Sequence, residues 1–235
     1  MNDSLLAFDI WGDLAHFKKP YTTTSPLSFA FPPRPTIAGM IAAIIGLDKT
    51  VYADYFMKNR ANIGLRLIKP VKKTRISQNL IDTKRAVLFS RIKQRTQIRL
   101  EYIKEPKYRI YFHHSDRKIY NRLKNLLLKH QSVYTLSLGL SELLANFEFV
   151  GEWSWHVKKT NEPLPIKSVI PRHATENFTM ETGKAYFCEN IPLEMNTDRI
   201  VTMFDSVFYE GNGLDILAMP ETYIKVENGE SILFL

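Results

Sequence analysis

The sequence predicts an α+β fold of the ferredoxin-like type, with a basic β-hairpin inserted into it and a smaller β-rich region at the C-terminal end. Two observations support this prediction: the order of strand-like and helix-like segments in residues 1–157, and a block of cations that interrupts that order. The inserted hairpin is predicted at about residues 71–96 and the β-rich region at residues 158–235. With 235 residues and 45% hydrophobic content, the chain can bury a core of this size.

The first strand and the first helix are the clearest local patterns. Leu6, Phe8 and Ile10 alternate with Ala and Asp, which is the period-two signature of a β-strand. A proline-rich loop then holds the chain extended, and Thr36 is predicted to cap a helix that runs to about Leu47. Since this helix combines an isoleucine-rich side with small residues, it can pack closely on a sheet.

Three further strands are predicted in the middle of the chain. Residues 63–69 alternate in the same way and lead directly into the block of cations. Residues 97–104 and 108–113 are typical of two strands joined by a short Glu-Pro-Lys turn. We predict that these two strands pair with each other as a hairpin.

A second helix and another strand complete the predicted domain. Ser115 is predicted to cap a helix whose apolar face continues to about His130, and residues 147–155 alternate as a strand. The order of strand, helix, two or three strands, helix and strand is the split βαβ arrangement, which RNA-recognition modules share. Short apolar runs at residues 201–209 and 232–235 indicate strands beyond it.

The composition excludes several classes of protein. The longest apolar run, residues 37–47, is broken by Gly39 and Gly46 and is shorter than the roughly 20 residues that span a membrane. The first residues lack a secretory pattern, which predicts a cytoplasmic protein. Cys188 is the single cysteine, so no intramolecular disulfide can form and no cysteine pair can hold zinc. We therefore predict no membrane association, no metal and no cofactor.

The positive charge is concentrated in one segment. Residues 69–99 hold ten Lys and Arg against a single Asp, whereas the other residues hold 22 basic and 23 acidic side chains. A run of cations is often only a solvated face. Here apolar residues separate the cations, which favours a projecting hairpin that follows a nucleic-acid backbone. The segment therefore predicts an RNA-binding surface.

A loop just after the first strand is a second candidate contact. His16, Phe17, Lys18, Lys19 and Tyr21 combine cations with rings that could stack on bases, as single-stranded RNA recognition often requires. An ordinary loop with a packed Phe17 explains the same pattern equally well. Both interpretations stay open.

The pair His113 and His114 raises the question of catalysis. Adjacent residues of a strand point to opposite faces, so the two rings cannot readily chelate one ion. One of them could act as a general base that deprotonates a ribose 2′-hydroxyl, which would allow RNA cleavage without a metal. A structural histidine is the alternative.

Two motifs resemble a known family. The segment "AFDIWGDLAHFKKP", followed by "FPPRPTIAGMIAAIIGL", lies within residues 6–47, and "YTLSLGLSELLANF" spans residues 134–147. In their order and spacing they are similar to motifs of the CRISPR-associated Cas5 family, which belongs to the RAMP superfamily. These motifs cover only part of the chain.

The resemblance implies a ferredoxin-like RAMP domain with a protruding thumb at about residues 71–96 and a variable C-terminal part. It implies a non-catalytic subunit of a type I interference complex (Cascade), which acts in antiviral defence. Such a subunit holds the 5′ handle of the CRISPR RNA (crRNA) and contacts the backbone and large subunits. Target DNA is a further possible partner, which the subunit would reach through the complex. The N-terminal motif favours subtype I-B.

The resemblance also assigns RNA-binding residues. It places His16, Phe17 and Lys18, with Lys19 beside them, in a handle-binding groove. The RNA-binding residues that it implies on the thumb are Lys72, Lys73, Arg75, Lys84, Arg85, Arg91, Lys93 and Arg95.

One branch of the family, in subtype I-C, processes precursor crRNA with a Tyr, a Lys and a His. Tyr21, Lys18, His113 and His114 supply these residue types, but they do not clearly match the positions of that branch. A scaffold that binds RNA is therefore favoured over a metal-independent endoribonuclease. A general RNA-recognition protein is a third interpretation.

Overall fold

The computed structural model describes residues 4–22, 25–81, 95–175 and 177–235, which form a mixed α/β structure rich in strands. The helices are α1 (Arg34–Ile45), α2 (Tyr52–Tyr55) and α3 (Arg117–Leu128). The strands are β1 (Ser4–Trp11), β2 (Leu14–Ala15), β3 (Ala61–Leu67), β4 (Lys73–Ile81), β5 (Arg95–Lys104), β6 (Lys107–His114), β7 (Asn146–Lys159), β8 (Leu164–Ile166), β9 (Ile170–Pro171), β10 (Phe178–Thr179), β11 (Tyr186–Met195), β12 (Val201–Glu210), β13 (Ile216–Ala218), β14 (Thr222–Val226) and β15 (Ser231–Ile232).

A six-stranded antiparallel sheet forms the centre of the molecule. Its strand order is β15-β14-β7-β1-β6-β3, so the first strand of the chain lies between β6 and β7. Phe8 pairs with Ile110 on one side and with Phe149 on the other. Helix α1 follows β1 and helix α3 follows β6, and both helices lie in the chain between strands of this sheet.

The alternation in β1 divides the core into two layers. Leu6, Phe8 and Ile10 are buried in the main apolar cluster together with residues of α1 and α3. Leu5 and Ala7 point to the opposite face, where they belong to a second cluster with residues of β14 and β15. The period-two pattern of the sequence thus corresponds to a strand that is buried on both faces.

Helix α1 begins earlier than predicted. Thr36 does not cap it; the cap residue is Pro33, with no capping hydrogen bond from a side chain, and Pro35 lies in the first turn. Proline fits this position because its fixed φ suits a helix and its missing N–H would have had no partner there. The helix ends at Gly46, which has a φ of 74° and whose N–H donates to the Ala42 carbonyl.

The predicted pairing of residues 97–104 with 108–113 is wrong, although both strands exist. Strand β5 pairs with β2 and β4, whereas β6 pairs with β1 and β3. Since β1 and β3 occupy both edges of β6, no edge remains for β5. The turn at Glu105, which has a φ of 50°, carries the chain from one sheet to the other.

The partner of β5 is the strand that precedes it. Strands β4 and β5 pair in register from Lys73 with Ile103 to Ile81 with Arg95, and we call them the hairpin. Residues 82–94, between the two strands, lie outside the described residues. At its base the hairpin packs through Leu100 on Leu143.

The C-terminal region is rich in strands and is joined to the rest of the fold. Strands β8 to β13 form two three-stranded sheets, whereas β14 and β15 extend the central sheet next to β7. The division at residues 157 and 158 stays a prediction. None of the helices in the described residues is long and apolar enough to cross a membrane.

Candidate nucleic-acid interface

A cleft lies where the two family-like motifs meet. It has a volume of about 270 Å³ and is lined by the loop at Lys18, by Pro35 and Thr36 at the start of α1, and by Gly139 and Leu140. We call this space the cleft. One wall of the cleft thus comes from the start of a helix and another from a glycine turn.

Gly139 is required for the close packing of this wall. Its φ is 102°, and a Cβ atom there would lie 1.9 Å from the carbonyl oxygen of His16. The His16 N–H in turn donates to the Leu138 carbonyl at 2.9 Å. Only glycine combines this backbone conformation with this approach.

His16 and Phe17 are buried, with 2% and 3% of their surfaces exposed. The His16 Nδ1 lies 2.7 Å from the Glu101 carbonyl oxygen, and the Phe17 ring packs 6.2 Å from that of Tyr108. In this arrangement neither ring can stack on a base from solvent. The packed-loop interpretation accounts for both residues, and a direct RNA contact by either of them stays a prediction.

Lys19 and Lys73 are engaged by two glutamates, and we call these four residues the latch. The Lys19 Nζ lies 3.1 Å from Glu189, and the Lys73 Nζ lies 3.0 Å from Glu101 and 3.8 Å from Glu189. Burial lowers the pKa of Lys19, but the hydrogen bond and charge of Glu189 outweigh burial, and the net pKa is raised. The latch ties the base of the hairpin to the loop and to β11, so these lysines are partly neutralised.

Four of the cations predicted to bind RNA have exposed side chains that are free to contact a ligand. Lys18, Lys72, Arg75 and Arg95 are exposed, and none of their side chains forms a hydrogen bond or ion pair with another described residue. The other predicted cations on the thumb lie outside the described residues: Lys84, Arg85, Arg91 and Lys93.

Arg99 belongs to the basic segment of residues 69–99, although it is not among the thumb residues that the family resemblance implies. Arg99 is exposed, and it pairs with Ser77, two residues along β4 from Arg75. Since side chains two residues apart share a face of a strand, Arg75 and Arg99 lie on the same side of the hairpin. The positive charge of Arg99 is visible in the sequence, but its position beside Arg75 follows only from the register of β4 with β5.

His113 and His114 have structural partners. The His113 Nδ1 lies 2.9 Å from the Ser4 carbonyl oxygen, and its ring packs 5.4 Å from that of Trp155. His114 is 1% exposed; its Nε2 donates to the Tyr55 carbonyl, while its Nδ1 accepts from the Asp116 N–H. Burial lowers the pKa of His114.

These positions give the candidate catalytic residues no common site. Tyr21 is 70% exposed, but neither His113 nor His114 lines the cleft. Among the described residues, no group of three His, Cys, Asp or Glu side chains could hold a metal ion.

A comparison with protein families identifies the family of the chain. The model described as "CRISPR-associated protein (Cas_Cas5)" matches residues 5–204. The chain belongs to the Cas5 family. The family resemblance of the two motifs is thus confirmed, and the match extends over the hairpin and the C-terminal strands β8 to β11 and ends within β12. No curated protein sequence matches the chain.

Solved CRISPR proteins share the fold of this Cas5 protein. A chain of a "CRISPR RNA-guided surveillance complex" matches with a TM-score of 0.54 and 11% identity, over 92% of this chain and 91% of that one. A CRISPR protein from Archaeoglobus fulgidus matches with a TM-score of 0.53 and 15% identity, over 98% and 97%. A chain of a type III-B Cmr-beta complex bound to cognate target RNA and AMPPnP matches with a TM-score of 0.51 and 13% identity, over 92% and 86%.

Proposed function

We propose that this Cas5-family protein is an RNA-binding structural subunit of a CRISPR type I interference (Cascade) complex and that it holds the 5′ handle of the crRNA. The observation that carries the proposal is the set of exposed cations on the hairpin, whose base contacts the wall of the cleft where the Glu101 carbonyl lies next to His16. Exposed Lys and Arg attract the phosphates of a single strand.

The strand order supports a ferredoxin-like core. Strands β7-β1-β6-β3 are neighbours in the sheet, with α1 between β1 and β3 in the chain and α3 between β6 and β7. This is the order expected for a split βαβ arrangement. In this proposal the hairpin is the thumb, and its second strand continues to Lys104, beyond the end predicted from the sequence.

The proposed partners are crRNA and the backbone and large subunits, with target DNA reached through the complex. The matched structures support an assembly of this kind, because one is a chain of an RNA-guided surveillance complex and another is a chain of a complex bound to target RNA. Subtype I-B remains the prediction of the N-terminal motif.

A catalytic role is disfavoured by the two histidines, since each has a backbone carbonyl partner and His114 uses both ring nitrogens. Incubation of the purified protein with labelled CRISPR repeat RNA in chelator tests this point on paired native and denaturing gels. We expect the RNA to be shifted and intact. A single discrete cut would show instead a metal-independent endoribonuclease.

Recognition of the handle has its own test. Binding of crRNA with its natural 5′ handle is compared with binding of the same RNA carrying a scrambled handle, in the presence and absence of the neighbouring subunits. We expect the natural handle to bind more tightly. Equal affinity would support a general RNA-recognition protein and contradict the handle-binding role.

A further inference from the structure

The hairpin has two chemically different faces. In an antiparallel pair, directly opposed residues lie on the same side, and every second residue along each strand shares that side. The register of β4 with β5 therefore assigns one face unambiguously. This face carries Lys73, Ile103 and Glu101 at the base of the hairpin and Ile81 at the other end of β4. Its remaining residues, which we call the polar face, are Arg75, Ser77, Asn79, Arg95, Gln97 and Arg99.

The opposite face packs on the body of the protein near the base of the hairpin. Leu100 and Tyr102 are 6% and 1% exposed and form an apolar cluster with Leu143. Gln78 donates a hydrogen bond to the Tyr102 hydroxyl on this face. These contacts fix the base of the hairpin against the body of the protein. Glu101 and Lys73 on the other face also bond to Ser28 of the body, so the polar face begins beyond them, at Arg75.

All six side chains of the polar face are exposed, and none has a hydrogen bond or ion pair to another described residue. Asn79 and Gln97 are directly opposed. The neighbouring pairs on the same face are Ser77 with Arg99 and Ile81 with Arg95. An amide pair is thus flanked by an arginine on each side.

We propose that this polar face reads bases of the bound RNA, with Asn79 and Gln97 contacting base edges and the three arginines holding adjacent phosphates. The inference rests on the proposed RNA-binding function and deepens it. A carboxamide presents a donor beside an acceptor, which matches the N6 amino group and N7 of adenine. The planar guanidinium fork of Arg suits phosphate oxygens.

The dimensions of a strand pair fit this division of roles. Cα atoms of opposed residues lie roughly 4.5–5.5 Å apart, and same-face pairs recur about every 7 Å along the strands. Both arginine positions next to the amide pair are therefore within reach of the phosphates that flank a base bound between Asn79 and Gln97. Phosphate contacts position a strand, whereas base-edge contacts specify its sequence.

The test uses the full chain and 12-nucleotide oligoadenylate, oligocytidylate and oligouridylate, with dissociation constants measured by fluorescence anisotropy at several salt concentrations. We expect the wild-type protein to prefer oligoadenylate. The double variant N79A/Q97A should lose at least about fivefold of that preference, the lower end of what a bidentate base contact contributes. Its salt dependence should be unchanged.

Two further variants make the test specific. R75A/R99A should weaken binding of all three RNAs alike and flatten the log–log salt slope by about 1.4, since each phosphate contact on a single strand contributes roughly 0.7. The control T74A/T96A changes two residues of the opposite face and should alter neither quantity. Circular dichroism melts show whether each variant remains folded.

The outcomes separate this inference from the proposed function. Wild-type binding without a base preference, or a preference that survives in N79A/Q97A, would overturn base reading and leave RNA binding intact. An unchanged salt slope in R75A/R99A would show that the polar face does not meet RNA and would favour a protein partner there. If wild-type protein binds no RNA, alone or with its neighbouring subunits, the proposed function itself fails.

Discussion

At the scale of single residues, ion pairs distinguish cations that hold the fold from cations whose side chains are free to contact a ligand. Lys19 pairs with Glu189, which lies 170 positions away in the sequence, and Lys73 pairs with Glu101. Exposed Lys72 and Arg75 have no such partner among the described residues. Neighbouring cations of one basic segment therefore have different roles.

The exposed cations should determine how strongly RNA binding depends on salt. In the triple variant K72A/R75A/R95A, the log–log salt slope of single-stranded RNA binding should flatten by about 2, because three phosphate contacts are lost. The slope is obtained from dissociation constants measured between low and high salt.

A matched control removes the same charge elsewhere. Lys118, Arg122 and Lys129 are exposed on or next to α3, so their triple alanine variant loses three cations away from the hairpin. This control should keep the wild-type slope. Equal flattening in both triple variants would mean that net charge, and not the hairpin, determines RNA binding.

His114 makes stability depend on pH. Burial lowers its pKa from the ordinary value of 6.5, so between the two pKa values the unfolded chain binds a proton that the folded chain does not. The free energy of unfolding should therefore decrease as the pH falls through 6.5 and level off below the pKa of the folded state. Urea unfolding from pH 7.5 to 5 measures this dependence.

The variant H114Q should be less stable at neutral pH but should lose this part of the pH dependence. The exposed His156 offers the comparison, since H156Q should keep the wild-type dependence. If the pH dependence of H114Q equals that of the wild-type protein, another group is responsible.

At the scale of secondary-structure elements, local patterns predicted where strands and helices occur better than how they pair. Residues 97–104 and 108–113 do form strands, but β6 already has two partners and β5 pairs with β4. The second helix is capped by Asp116, whose side chain accepts from the Lys118 N–H, and not by the predicted Ser115. Both residues have side chains that can cap a helix, so the sequence alone leaves this choice open.

The glycine turn that forms a wall of the cleft is a testable element. The substitution G139A should destabilise the protein by about 3 kcal/mol or more, because it adds a steric clash to the cost of a left-handed backbone. Gly229 also has a positive φ, of 92°, but a Cβ there would meet nothing within 4 Å. G229A should cost only about 1–2 kcal/mol.

Chemical denaturation of both variants measures the difference. If G139A is no more destabilising than G229A, the close approach of Gly139 to His16 does not constrain the wall. RNA affinity of G139A, measured where the variant is still folded, reports whether the wall shapes the binding site.

At the scale of the whole molecule, the C-terminal residues complete the core. Strand β14 pairs with β7, and Ile224, Val226 and Ile232 join Leu5 and Ala7 in the apolar cluster on one face of the central sheet. Ile191 and Val207, from β11 and β12, belong to the main apolar cluster with α1. The boundary predicted between residues 157 and 158 therefore crosses extensive packing.

A chain that ends at residue 159 should not unfold cooperatively. It would leave the outer edge of β7 without its partner strand and expose apolar surface on both faces of the sheet. Thermal melts followed by circular dichroism, compared with the full chain, check this expectation. A cooperative melt near that of the full chain would establish residues 1–157 as an independent domain.

The sequence by itself determined the alternation of β1, the positions of the two long helices, the basic segment and the family motifs, because each is a local pattern of neighbouring side chains. Only the tertiary structure decided that β5 pairs with β4, that His16 and Phe17 are buried, and that Lys19 meets Glu189. These outcomes depend on contacts between residues far apart in the chain. The rest of the fold determines which strand edges are free to pair and which charged residues lie next to each other.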